Sequence, residues 1–245
     1  MFHEPTSKKK GDIFIGFLPS ESNPPNMVEF LDAVHCMATC KLDKVIYAVV
    51  DVESSNPDYS ASTRTHRLAM AKSAASMFGP LIQVCDPFER SRMAAEEAAF
   101  RLFDLNSDMR FTLFYISTVR ELSKRAYIIE RLATNIGMRL HGFDPNMHKV
   151  VAAFLENRQE QPLELNETAK RLVDENLFGV IQVKGHGVEL SYGNAVDKKM
   201  LEAIRRGGDI RCVLLSPDIA RYISDHQDYR RRLADHLSAK LNLRS

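Results

Sequence analysis

The chain has no excess of either charge, no paired-cysteine motif and no long apolar run, and each absence removes a class of function. Its 33 basic and 32 acidic side chains leave a formal net charge of +1, so nothing points to a nucleic-acid or anionic membrane surface. Four cysteines occur, Cys36, Cys40, Cys85 and Cys212, with no C-x-x-C pair among them. Three lie in apolar runs, where cysteine behaves as a small hydrophobe. Cys36 and Cys40 share a helix face, but no third and fourth ligand follow nearby, so no metal site is expected. Apolar stretches are strand-length, too short to span a bilayer. No apolar h-region follows the polar N-terminus, so the expected compartment is the cytosol, with its thiols reduced. The motifs G-x-S-x-G, G-x-x-x-x-G-K-[ST] and H-E-x-x-H are missing, and with them the common nucleophile, phosphate-loop and zinc chemistries.

What is present is an ordinary globular composition, 44% apolar and 27% charged, on a length that can bury a core without disulfides. Residues 1–11, with Lys8, Lys9 and Lys10, read as a disordered basic tail. Residues 12–245 read as a single α/β domain.

Hydrophobic periodicity gives the order of elements. Residues 12–18 form a short apolar run ended by a Pro/Ser/Asn loop, which predicts a buried strand. Met27, Phe30, Leu31, Val34, Met37 and Ala38 recur at helical spacing behind Asn26, a residue suited to an N-cap. Further strands are expected at 44–51, 81–85 and 111–116, and further helices at 63–78, 89–105 and 119–135. This alternation implies a doubly wound, Rossmann-like parallel sheet with helices on both faces. Ligands on such sheets bind outside the carboxyl ends of the strands, so the 19–26 loop is the first candidate site. Residues 147–157 look helical, Asn166 caps a helix to 176, and residues 180–183 and 188–190 suggest a hairpin about His186. A helix over 196–206 stops at Gly207-Gly208. A C-terminal helical extension opens with Ser216 as cap and Pro217 in first position, and presents Ile219, Tyr222, Ile223, His226 and Tyr229 on one face.

Three segments in order resemble the nicotinamide/nicotinate mononucleotide adenylyltransferases, which belong to the nucleotidyltransferases with an H-x-G-H-type motif. Residues 205–229, Arg-Arg-Gly-Gly-Asp-Ile-Arg-Cys-Val-Leu-Leu-Ser-Pro-Asp-Ile-Ala-Arg-Tyr-Ile-Ser-Asp-His-Gln-Asp-Tyr, resemble the family's closing R-x-G, I-R-Y-L-V-P and Y-I-x-x-H-x-L-Y pattern with one extra residue near Leu214. Thr65-His-Arg-Leu-Ala-Met-Ala71 followed by residues 81–85 resembles its second helix and third strand. Gly16-Phe17 with Asn23-Pro24-Pro25-Asn26-Met27 resembles its first strand and nucleotide loop. The likeness spans residues 12–229 and is weakest over 137–190.

The resemblance implies attack of a mononucleotide phosphate on the α-phosphate of ATP, with Mg²⁺, in NAD biosynthesis. Such a reaction depends on positioning and positive potential. The residues that supply these in the family are replaced here. Aligned on Pro24-Pro25, the two motif histidines fall on Asn26 and Glu29; aligned on Asn26-Met27, the second falls on Val28. The family's I-S-S-T-x-I-R anion site falls on Ala195-Val-Asp-Lys-Lys-Met-Leu201, and its G-A-D on Ile116-Ser117-Thr118. Loss of one preorganised donor at a developing anion costs about 10²–10³ in rate, and a carboxylate at Glu29 repels a triphosphate.

The candidate nucleotide-binding residues are therefore Gly16, Phe17, Asn26, Glu29, Arg64, Arg67, Lys198 and Lys199. Each has a plainer reading. Gly16 lets a backbone approach a phosphate, or simply serves a turn. Asn26 is a ligand or an N-cap, and Glu29 an acid/base group, a Mg²⁺ ligand or a solvated side chain. Arg64, His66 and Arg67 hold a mononucleotide phosphate or decorate a surface; Lys198 and Lys199 restore positive charge without arginine's geometry. Two functions follow as expectations. The first is a weak or inactive relative that binds a nucleotide or a protein partner, itself or another chain. The alternative is an active adenylyltransferase, using ATP and Mg²⁺, with a rebuilt site.

Overall fold

The computed structural model describes residues 8–51, 57–86, 94–106, 108–119, 121–156, 165–185, 194–206, 210 and 216–242. Six strands, β1 (Ile13–Ser20), β2 (Lys44–Val49), β3 (Ile82–Cys85), β4 (Phe111–Ser117), β5 (His148–Glu156) and β6 (Phe178–Lys184), form one sheet in the order β3-β2-β1-β4-β5-β6. Every pairing is parallel. The helices are α1 (Met27–Cys40), α2 (Pro57–Ala75), α3 (Ala95–Asp104), α4 (Leu122–Met138), α5 (Glu167–Asp174), α6 (Asn194–Arg205), α7 (Pro217–Asp225) and α8 (Gln227–Asn242).

Two apolar layers cover the sheet because successive strand side chains point to opposite faces. Phe14 and Leu18 of β1 join Phe30, Ala33 and Cys36 of α1, Met70 and Ala74 of α2, Leu201 of α6, Ile223 of α7 and Leu233 of α8 on one face. Phe17 of β1 joins Phe100 and Phe103 of α3, Ile129 and Leu132 of α4 and Leu172 of α5 on the other. The chain thus leaves β1 on one face and β4 on the opposite face. The carboxyl ends of these adjacent strands flank a topological switch point, the place where a doubly wound sheet opens a crevice. The expected doubly wound α/β class with C-terminal helices is the observed one.

Several expectations shift. Within the helix expected over 147–157, His148–Glu156 form strand β5 instead: residues 148–155 are nearly all buried between β4 and β6. A strand buried on both faces reads as an unbroken apolar run, without the alternation that would identify it. Helix α2 begins at Pro57, so residues 57–62 are helical rather than part of a polar loop. The segment 180–183 belongs to β6, which pairs in parallel with β5; its expected hairpin partner at 188–190, with His186, lies outside the described residues, as do Gly207, Gly208 and Cys212. The C-terminal extension is two helices, because His226 takes non-helical angles (φ −105°, ψ 81°) between α7 and α8.

Of the expected disordered tail, residues 1–7 lie outside the described residues, and residues 8–11 are held against the domain. Lys8 pairs with Asp43 at 2.6 Å and lies over the Phe14 ring, while Asp12 accepts from the Lys9 amide. Asn26, Asn166 and Ser216 each cap a helix by accepting from the amide three residues on, as their side chains favour. Among the described residues no helix is long and apolar enough to cross a membrane.

Candidate functional site

The loop of residues 21–26 leaves the carboxyl end of β1 and turns into the first turn of α1. It contains a cis Asn23–Pro24 bond. Asn26 ends it as the N-cap of α1, its Oδ1 accepting from the Glu29 amide at 3.0 Å. This cap orients the first helical turn and turns Glu29 back towards the sheet.

Glu29 is the centre of a compact hydroxyl network. Its Oε2 accepts from the Tyr47 phenol at 2.5 Å and from Ser20 Oγ at 2.9 Å. Tyr47 stands on β2, wholly buried and stacked on Phe30 of α1. Ser22 Oγ lies 2.9 Å from the same phenol, and the Ser22 amide donates to Ser20 Oγ. Four side chains from β1, the loop, α1 and β2 thus share protons around one carboxylate. Burial pushes the Glu29 pKa up to about 7, reinforced by the nearby Asp32; the hydrogen bonds from Tyr47 and Ser20 hold it down from a higher value. Burial, and next the negative charge of Glu29, drive the Tyr47 phenol well above its ordinary value.

The basic candidates sit elsewhere and are largely engaged. Arg67 is fully buried. Its guanidinium donates to the carbonyls of Val50 (2.6 Å), Glu21 (2.7 Å) and Ser60 (3.0 Å), and to the hydroxyls of Ser60 and Thr63. It ties the end of β2, the loop and the start of α2 together. Arg64 makes a two-pronged contact with Asp86, just beyond β3, and lies 3.7 Å from Asp51 beyond β2. His66 lies 3.1 Å from the Tyr222 phenol and 3.4 Å from Asp228, packed among Tyr222, His226 and Tyr229. Lys198 and Lys199 are exposed on α6, a helix that packs against α8.

Gly16 and Phe17 have packing roles. Gly16 lies inside β1, where an added Cβ would come within 2.8 Å of Ile116, 2.9 Å of Leu42 and 3.0 Å of Val45. Phe17 is buried and stacked on Tyr115. Ser117 of β4, at the other side of the switch point, is buried and accepts from the Val119 amide. Of the candidates, then, Asn26 and Glu29 come together at the loop, while Arg64 and Arg67 brace the carboxyl edge behind it.

Residues not singled out from sequence complete the site. Tyr47 has one visible signal, a lone polar group in the otherwise aliphatic run Val45-Ile46-Tyr47-Ala48-Val49; a buried phenol needs a partner. Ser20 and Ser22 have none. Asn23 accepts from both Tyr59 of α2 (3.0 Å) and Tyr229 of α8 (3.1 Å). Among the described residues no three His, Cys, Asp or Glu side chains gather as a metal site, and the single carboxylate of Glu29 is already bound to two hydroxyls.

No family model matches the chain, and no curated protein matches it. Among solved structures the chain is similar to Plasmodium falciparum nicotinic acid mononucleotide adenylyltransferase complexed with NaAD, at 11% identity and a TM-score of 0.48, covering 89% of this chain and 97% of that one. For the same enzyme complexed with APC the identity is 9% and the TM-score 0.43, over the same shares of the two chains.

Proposed function

We propose that this chain is a nucleotidyltransferase-like protein that binds a nucleotide at the β1–α1 loop without transferring adenylyl groups at an enzyme's rate. The supporting observation is Glu29. It stands in the first turn of α1, on one alignment at a position where the resembled family places a phosphate-stabilising histidine, and it is held by Tyr47 and Ser20. An ionised carboxylate there opposes the negative charge that develops in phosphoryl transfer. Arg67, a natural phosphate ligand by type, spends its donors on main-chain carbonyls. The proposed setting is the cytosol, with a protein partner or a second copy of the chain as a further ligand of the same fold.

One observation favours a second reading, an active enzyme with a rebuilt site. A carboxyl group with a pKa of about 7 at the carboxyl edge of the sheet has the value a general acid or base needs near neutral pH. In that case ATP enters as its Mg²⁺ complex, and Lys198 and Lys199 supply the positive charge.

The purified chain incubated with Mg²⁺, ATP and nicotinamide or nicotinate mononucleotide separates the two. The expected result is no dinucleotide by chromatography, with ATP binding measurable by calorimetry. Dinucleotide that disappears in the Lys198→Ala/Lys199→Ala variant overturns the non-catalytic reading. Absence of ATP binding overturns the nucleotide-binding part and directs attention to protein partners.

A further inference from the structure

We infer that the C-terminal helix α8 positions the ligand loop, with Tyr229 and Asn23 as the positioning residues. The functional consequence rests on the nucleotide-binding reading above; the geometry does not.

Two phenols from different helices converge on one amide oxygen. Tyr59 of α2 and Tyr229 of α8 both donate to Asn23 Oδ1, at 3.0 and 3.1 Å, which uses the two lone pairs of that oxygen. Tyr229 is fully buried. Burial raises the Tyr59 pKa to about 12 and the Tyr229 pKa well above its ordinary value, so both remain protonated donors through the neutral range. Two residues earlier, the Glu21 carbonyl accepts from Arg67 at 2.7 Å. The loop is therefore held from behind at residues 21 and 23.

Its other side faces the Glu29 network. Ser22 contacts Ser20 and Tyr47, and Asn26 caps α1 beneath Glu29. Residues 22 and 26 thus enter the candidate site while residues 21 and 23 are gripped by α2 and α8. Held on one side and facing the site on the other, with Ser22 in the left-handed backbone region (φ 50°), the loop makes the shape of the site depend on where α8 sits.

The seat of α8 is independently built. The His236 ring stacks on Tyr59 with centroids 4.6 Å apart, Arg232 donates to Ser62 at 3.0 Å, and Asp228 lies 3.4 Å from His66. The three α2 residues, Tyr59, Ser62 and His66, lie between the first turn and the middle of the helix that also grips the loop through Tyr59 and Arg67. Displacing α8 would remove the Tyr229 hydrogen bond and the ring that supports Tyr59 in one step. Both phenols meet the loop at the Asn23 amide oxygen, so Asn23 is the point to break.

The test uses the full chain with three substitutions, Tyr229→Phe, Asn23→Ala and Asn23→Asp, the last keeping the acceptor oxygen. Hydrogen exchange is followed at the amides of Ser22 and Glu29 without ligand, and Mg²⁺–ATP affinity by calorimetry. Tyr229→Phe, which removes one hydrogen bond, is expected to speed exchange at these two amides by about fivefold, and Asn23→Ala, which removes both, by about 25-fold, with ATP binding weakened similarly. Asn23→Asp is expected to keep most of the protection. Unchanged exchange in Tyr229→Phe and Asn23→Ala, or a rise spread evenly over all helices, overturns the inference. If Tyr229→Phe does not fold, the Asn23 pair carries the same comparison. Failure of the wild-type chain to bind ATP removes the nucleotide reading alone, because the exchange measurement still decides whether α8 sets the loop.

Discussion

Tyr47 and Glu29 meet at 2.5 Å across the carboxyl edge of the sheet, a phenol on β2 donating to a carboxylate on α1. The arrangement makes one proton hard to remove from the folded chain. Burial disfavours the ionised carboxylate more than the two hydroxyl donors favour it, so the Glu29 pKa rises from 4.5 to about 7.

The sign of the resulting pH dependence follows from linkage. Between pH 4.5 and 7 the unfolded chain has lost the Glu29 proton and the folded chain has not, so folding stability falls as pH rises through this window. Below the window the contribution is fully present, and above it fully lost. The shift corresponds to about 3 kcal/mol at most. The Glu29→Gln variant cannot ionise and should not show this term. Urea unfolding of both proteins at pH 5 and pH 8 checks it: the stability of the variant relative to wild type should improve by about 2–3 kcal/mol at the higher pH. A difference that stays constant between the two pH values would show that Glu29 titrates normally.

Arg67 supports a second prediction, about stability rather than ligand binding. Its guanidinium is the shared donor for the carbonyls of Glu21, Val50 and Ser60. Burial lowers its pKa, with neighbouring Tyr229 opposing the shift, but the group remains a cation held by oxygen dipoles. Removing it strands several buried acceptors, each worth about 1–3 kcal/mol. Arg67→Met should therefore cost about 4 kcal/mol and lower Tm by on the order of 10 °C. Arg67→Lys should recover only part, because an ammonium cannot reach carbonyls in several directions at once. Thermal unfolding of the three proteins decides; a variant with wild-type Tm would return Arg67 to the list of ligand residues.

The sheet was legible because its strands are short apolar runs separated by helical periodicity and capping residues. Asn26, Asn166 and Ser216 announce helix starts through local chemistry, and the structure uses them so. Strand β5 was not legible, since Val150-Val-Ala-Ala-Phe-Leu155 carries no alternation when both faces are buried. The start of α2 was hidden by Ser, Asp and Thr residues that favour caps and turns as much as helices. For the site, the loop and Glu29 could be named from their place after the first strand. The hydroxyl network could not, because Ser20, Ser22 and Tyr47 meet only once β1 and β2 are paired in register. Nor could the link between Asn23 and Tyr229, which are 206 residues apart in sequence.

Gly16 separates a packing role from a ligand-approach role most directly. Its position in β1 faces α1, and the space a methyl group would need is filled by Ile116 Cδ1, Leu42 Cδ1 and Val45 Cγ2 at 2.8–3.0 Å. All three contacts are the ends of side chains, so the neighbours can yield, at the usual overpacking cost of about 1–3 kcal/mol. Gly16→Ala should therefore lower stability by about 2 kcal/mol and leave ATP affinity unchanged. Ile116→Val removes the nearest of the three atoms, so the same glycine substitution made in that background should cost about 1 kcal/mol less. Denaturant unfolding of the two single variants and the double variant measures this coupling, with calorimetry alongside. Additive stabilities together with a loss of ATP binding in Gly16→Ala would mean that the missing side chain makes room for a ligand and not for the core.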